Sequence, residues 1–182
     1  MLIIISGPPG SGKSSVAKIL ANKLSLEYVS AGMIFRNLAK EKGVSLIELN
    51  KMAENDFGID KTVDMEIFNL INKKRELVIE SHIAGWLFHS YADLNVYLTA
   101  SLITRAKRIA NRDGISFNDA LEQIIKREES HRERFLKYYG IDLYDLSVFD
   151  LTINTEYLSP SSVANVILEY LKGKQIQLTH SS

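Results

Sequence analysis

GPPGSGKSS occupies residues 7–15, directly behind the aliphatic run LIIIS. Gly7, Gly12, Lys13 and Ser14 fit G-x-x-x-x-G-K-[ST], a phosphate-binding loop when a strand precedes it and a helix follows. Glycines let backbone N–H groups curl around phosphate oxygens, and the helix N-terminus adds a partial positive charge. The stretch Gly7, Pro8, Pro9, Gly10, Ser11, Gly12, Lys13, Ser14 and Ser15 is therefore expected to cradle a nucleoside triphosphate, ATP. Lys13 would reach the outer phosphates, and the Ser14 hydroxyl would hold Mg²⁺. A glycine-rich turn with a chance lysine is the competing reading, and the position and flanks of the loop argue against it.

Arginines supply the second signal. Six of the eight lie between Arg105 and Arg134. Arg105, Arg108 and Arg112 fall at spacings of three and four and share a helical face. Arg127, Arg132 and Arg134 follow on the next helical segment, beyond the turn DGISFND. Two such helices could close over a phosphate-rich ligand, for which the planar, forked guanidinium is suited. Glu128, Glu129 and Glu133 interleave, so on composition alone an ordinary solvated helix fits equally well; the upstream loop favours function. Arg36, behind VSAGMIF, is placed to hold a second phosphate group, while Ile34, Phe35 and Leu38 read as packing residues. His82, His89, His131 and His180 show no metal-ligand spacing. Trp86 reads as a packing residue, and no nucleophile triad or general base is evident.

These residues need elements to position them. Residues 2–6 read as a buried strand and 13–24 as a helix with apolar residues at helical spacing. A short strand at 27–30 leads into a helix over 31–42 that Gly43 can end. Ser45 and Glu48 form a capping box. A further helix spans 59–74, followed by strands at 77–80 and 94–98. Ser101 and Ser116 read as N-caps, the latter opening a charged helix to about Tyr138. A fifth strand covers 151–154, and Ser159–Pro160 opens a last helix to about Lys172. The polar stretch 173–182 reads as a frayed tail. Alternating short strands and helical crossovers predict an α/β fold with a five-stranded parallel sheet covered on both faces. Ligands on such sheets sit at the carboxyl ends of the strands, where Ser6, Ser30 and Glu80 fall.

Composition narrows the function classes. The 182 residues fit one domain, and 46% are hydrophobic, enough for a sizeable core. Lys+Arg and Asp+Glu number 22 each, so a general nucleic-acid binder is disfavoured. There are no cysteines, which excludes disulfides and thiol chemistry and suits a cytoplasmic setting. The apolar start is too short for a signal peptide or a membrane span. Small-molecule partners and a monomer are the expectation.

The blocks GPPGSGKSSVAKILA, SAGMIFRNLAKE, IESHIAGWL, KREESHRERF and YYGIDLYDLSVFDLTINT together resemble the archaeal type of cytidylate kinase, within the nucleoside monophosphate kinases. The likeness runs to about Lys172. It implies a P-loop three-layer α/β fold with a helical NMP-binding insertion at 31–75 and a lid at about 113–135. It also implies transfer of the γ-phosphate of ATP to CMP, and to dCMP, giving CDP and ADP with Mg²⁺. On the matching positions, Ser30, Gly32 and Arg36 would form the NMP-binding stretch, with Arg36 on the acceptor phosphate. Glu80 would hold Mg²⁺ through water. Arg108 and Arg112 would contact ATP, and Arg127 and Arg134 the phosphates in transit. Many archaeal members resemble GSGTT where this chain has GSGKS. Where the family has EGR-x-SGW this chain has ESHIAGW, so that His82 stands at an arginine's position. Asp60, Asp64 and Ser30 are candidates to accept from the cytosine amine. Other acceptors, AMP or UMP, and an ATP-dependent switch or assembly factor are the alternative readings.

Overall fold

The computed structural model describes residues 1–180, with side chains described through Lys174. Five parallel strands, β1 (Leu2–Ser6), β2 (Glu27–Ser30), β3 (Leu77–Glu80), β4 (Leu94–Thr99) and β5 (Leu151–Asn154), lie in the order β2-β3-β1-β4-β5. β1 is central and buried along its whole length. Its alternation splits the core between the two faces of the sheet. Ile3 and Ile5 pack with Val16, Leu20, Val163 and Ile167 of α1 (Lys13–Leu24) and α8 (Pro160–His180). Leu2 and Ile4 pack with Val63, Ile67 and Ile71 of α4 (Phe57–Lys73), on the face that α2 (Ala31–Glu41) also covers. Each such aliphatic side chain contributes about 1.5–3 kcal/mol through burial. The switch of direction between β1's neighbours places the end of β1 at the crevice where such sheets bind ligands.

Local chemistry sets most boundaries. Ser30, Ser45, Ser101 and Ser116 each accept a backbone N–H at a helix start, and Ser45 with Glu48 completes the expected capping box. α4 begins two residues earlier than the apolar spacing suggests, because the Asp56 carboxylate accepts from Gly58 N at 2.8 Å. A short α5 (Ala84–Leu87) was not anticipated. Ser81 Oγ nucleates it by accepting from the N–H groups of Ile83 and Ala84, both at 3.2 Å. α3 (Leu46–Asn55) completes the insertion between β2 and β3. α6 (Leu102–Asp113) ends at Gly114 and α7 (Phe117–Tyr139) at Gly140, both glycines left-handed. α8 continues past the expected stop near Lys172, through Gly173 and the polar segment after it; residues 181–182 of the expected tail lie outside the described residues. Among the described residues no helix is long and apolar enough to cross a membrane.

Candidate active site

Residues 7–12 turn between β1 and α1 with Gly7, Gly10 and Gly12 at φ of 146°, 80° and 94°. A Cβ on Gly7 would stand 2.0 Å from Leu98 O, and one on Gly10 would stand 2.7 Å from Arg105 O. Both positions therefore require glycine on two counts, space and backbone conformation. The loop's carbonyls are tied back, one from within the loop and three from outside it. Pro8 O accepts from Ser11 N and from the Lys13 ammonium, at 3.3 and 2.9 Å. Pro9 O accepts from Arg105 at 3.2 Å, Gly10 O from Arg108 at 3.4 Å, and Ser11 O from Thr155 Oγ1 at 3.0 Å. The N–H groups of Gly10, Gly12, Lys13 and Ser14 have no partner among the described residues. Ser11 Oγ is buried without one. A cradle whose acceptors are engaged and whose donors are free fits a polyanion.

Lys13 stands half-buried among these donors. Burial pulls its ammonium down from 10.5 to about 8; Arg127, Arg105 and Arg112 add to the shift, and Glu80 opposes it. Glu80, buried at the end of β3 beside β1, accepts from Ser30 Oγ at 2.9 Å and from Tyr28 OH at 3.1 Å. Its carboxylate and the exposed Ser14 at the start of α1 are hard oxygen donors at the phosphate loop. Such a pair suits Mg²⁺ held largely by water and substrate phosphates.

The arginines divide into two groups. Arg105 is buried, donates to Ala100 O at 3.0 Å and pairs with Glu128 of α7. Arg108 donates to Thr155 Oγ1 and O at 2.9 and 2.7 Å. Its guanidinium thus links the phosphate loop to the residue after β5. Arg112 pairs with Asp113 at 2.6 Å yet lies near enough to Lys13 to perturb it. Arg36 and Arg127, by contrast, make no hydrogen bond or ion pair with the described residues. Arg36 folds back over the start of α2, its Nη1 3.5 Å from where a Cβ of Gly32 would stand. Arg127 projects from α7, where Glu80, Arg112, Arg134 and Arg36 are the charges that act on it.

Arg134 is buried against the insertion, its Nε 3.3 Å from Asp60 Oδ2. Neither of these two atoms makes a properly aligned hydrogen bond. Burial pushes Asp60 up, against the pull of Arg134. Nearby, the Tyr139 hydroxyl donates to Asp64. Burial pushes Asp64 up to about 7; the Tyr139 bond opposes this and Asp60 adds to it. Asp60 and Arg134 were expected at the site, but not as partners: they stand on α4 and α7, far apart in sequence, and meet only because α7 crosses the insertion.

His82 follows Glu80 and does not stand free as an arginine substitute. Its Nδ1 lies 2.5 Å from Nδ1 of His131 on α7. Burial, then the charges of Lys13 and Arg127, hold His82 well below its usual value; burial, then His82 and Arg127, do the same for His131. Trp86 is a packing residue as expected, donating Nε1–H to Asp145 O at 2.7 Å and meeting Tyr97 and Phe149 edge-on. Thr155 and His131 lie inside blocks that carry the family resemblance, but sequence reasoning assigned them no role, because their partners are distant in the chain. It noticed Arg105 on the arginine face without assigning it a role.

Comparison with known proteins adds the following. The model of the cytidylate kinase-like family matches residues 2–157. A protein of Sulfolobus acidocaldarius named cytidylate kinase is 63% identical over 176 residues, 97% of each chain. One of Sulfurisphaera tokodaii with the same name is 61% identical over 171 residues, 94% of this chain and 95% of that protein. Among solved structures, a gluconokinase from Sinorhizobium meliloti superposes with a TM-score of 0.63 at 18% identity, covering 99% of this chain and 96% of that one. The last likeness concerns the fold.

Proposed function

The chain belongs to the cytidylate kinase-like family, and we propose that it transfers the γ-phosphate of ATP to CMP, and to dCMP, giving CDP and ADP. One observation carries the reading. A phosphate loop with unpartnered donors is flanked by two unpartnered guanidiniums, Arg127 from α7 and Arg36 from the insertion. That arrangement suits two phosphorylated ligands at once. A nucleotide switch or assembly factor needs only one.

Phosphoryl transfer asks the protein for positioning and charge neutralisation. The loop donors and Lys13 bind the β- and γ-phosphates of ATP. Ser14 and, through water, Glu80 would hold Mg²⁺, which would supply further positive charge to the phosphates. Arg127 faces the transferring group, and Arg36 holds the acceptor phosphate. No general base is needed, because the acceptor is already an anion. α6 and α7 screen the loop from water that would otherwise hydrolyse ATP. Arg112 stands close enough to contribute to the ATP phosphates, and Arg108 acts through the loop it braces.

The Arg36→Ala variant is expected to raise KM for CMP by about ten- to a hundredfold, the equivalent of a forked, charge-assisted contact of about 1.5–3 kcal/mol. KM for ATP moves little. Equal effects on the two substrates, read from paired saturation curves, would place Arg36 elsewhere.

Asp60 and Arg134 are the candidate readers of the base, with Ser30 and Gly32 shaping the adjoining turn. An acceptor beside a donor matches the exocyclic amine and ring acceptor of cytosine. Uracil presents a carbonyl and an N–H in the reverse order, leaving both protein groups mismatched at a cost of about 1–3 kcal/mol. Adenine shares cytosine's polarity, so rejection of AMP rests on the dimensions of the pocket. The test is an acceptor panel of CMP, dCMP, UMP and AMP with ATP in excess. CMP is expected to exceed both UMP and AMP by at least about tenfold in kcat/KM. ADP production that no monophosphate stimulates would end the kinase reading. The reading is of a monomeric cytoplasmic enzyme, the absence of cysteine fitting a reducing compartment; sedimentation at working concentration tests the first part.

A further inference from the structure

We propose that the His82–His131 hydrogen bond is a strut between the core sheet and α7 that sets the register of Arg127 and Arg134 over the cleft. The inference rests on the kinase reading for its consequence, not for its geometry. His131 lies one turn after Arg127 and one turn before Arg134, so all three occupy one face of the helix. Elsewhere α7 is held by α6 at one end and by the insertion at the other. Ala120 and Ile124 pack on Ala106 and Ile109 and Glu128 pairs with Arg105 of α6, while Ser130 Oγ donates to Glu54 Oε1 and Tyr138 OH to Glu54 O, both at 3.1 Å, and Arg134 reaches Asp60. The histidine contact instead ties the middle of α7 to the loop leaving β3, at His82, immediately beyond Glu80 and Ser81.

The contact is directional. Two Nδ1 atoms at 2.5 Å require one ring to donate and the other to accept. Phe135 orients the rings, stacking on His131 with centroids 5.2 Å apart and meeting His82 edge-on at 6.0 Å. Phe135 also packs on Ile83 and Trp86, so α7 keeps an apolar hold on the core when the hydrogen bond is removed. What is lost is the fixed register. Neither histidine is assigned a contact with reactants; both act by positioning.

The test uses His131→Phe, which keeps a ring but cannot bond, and His131→Asn, which places an amide near the position of Nδ1. In a folded His131→Phe protein, kcat for CMP phosphorylation is expected to fall about tenfold, the loss of one buried bond. KM for ATP stays within about twofold, because the phosphate loop is untouched. ADP released per CDP formed rises above one as water reaches the less well covered γ-phosphate. His131→Asn is expected to restore unit stoichiometry. The double variant His82→Leu/His131→Phe is expected to lose no more than its worse single change, since both remove one bond. Wild-type kcat and stoichiometry in folded His131→Phe, equal losses in the Phe and Asn variants, or additive losses in the double variant would each overturn the strut. Should the single Phe variant fail to fold, ¹⁵N resonances of the wild-type imidazoles decide. One protonated and one bare Nδ1 sharing a hydrogen bond is the expected pattern, and two protonated Nδ1 atoms the contrary one. That readout needs no activity, so failure of the strut is distinct from failure of the kinase reading.

Discussion

Lys13→Ala is expected to lower kcat by at least about a hundredfold while leaving the thermal midpoint nearly unchanged. The ammonium stands at the mouth of a loop whose other donors are backbone N–H groups, and it is the one mobile full charge that the loop itself contributes. Charge spreads over the transferring oxygens in the transition state, and a preorganised donor aimed there is worth about 2.7–4 kcal/mol. Stability is a different matter. Burial and the neighbouring guanidiniums already disfavour the cation, since Lys13 is lowered to about 8. Between that value and 10.5 the unfolded chain binds more protons at this position than the folded one, so this group's contribution to stability rises with pH there. Removing it takes away a strained charge rather than a support. The same depression gives a kinetic signature: kcat/KM for ATP falls as pH rises through about 8 in the wild type, and Lys13→Ala abolishes that limb. A folded Lys13→Ala protein with near-normal turnover would show that the loop does not serve the reaction.

Arg127→Ala is expected to cost a comparable amount, again in kcat. Arg127 has no partner among the described residues, although α7 presents Arg134 and Glu128 to partners on either side of it. A guanidinium held free beside Lys13 and Glu80 spends no binding energy on the protein and is available to charge that develops during transfer. Arginines in that role contribute about 10³–10⁵ in kcat in the best-studied phosphoryl transferases; a loss of at least about a hundredfold is the expectation here. Arg127→Lys should recover only part of it, because an ammonium cannot bond two phosphate oxygens in a fork. Single-turnover measurements separate this from binding. A variant whose KM for both substrates rises while the chemical step is unaffected would make Arg127 a ground-state contact.

Much of the scaffold was readable before any coordinates. The β1–loop–α1 unit is local: five consecutive aliphatics or small residues make a buried strand, and the glycine–lysine loop requires a helix behind it. Capping serines at 45, 101, 116 and 159 are local as well, since a hydroxyl need only reach an N–H two or three residues on. Family resemblance then supplied the acceptor-side assignments that spacing alone left open. Two boundaries escaped because a side chain outvoted apolar periodicity: Asp56 drew α4 back to Phe57, and Ser81 started α5.

The amino-acid sequence by itself determined which residues could bind phosphate, Lys13, Ser14, Arg36 and the arginines of α6 and α7, because donor chemistry and helical spacing are properties of short segments. Only the tertiary structure decided how those donors are used. Arg108 is spent on Thr155 and Arg134 faces Asp60, while Arg36 and Arg127 are left free. His82, at an arginine's position in the family pattern, is bound to His131. Each of these pairings joins residues dozens of positions apart, brought near by the crossing of α7 over the insertion and the sheet and, for Arg108, by the placing of α6 beside the end of β5. A guanidinium's availability is set by what it touches, and no periodicity along the chain records that.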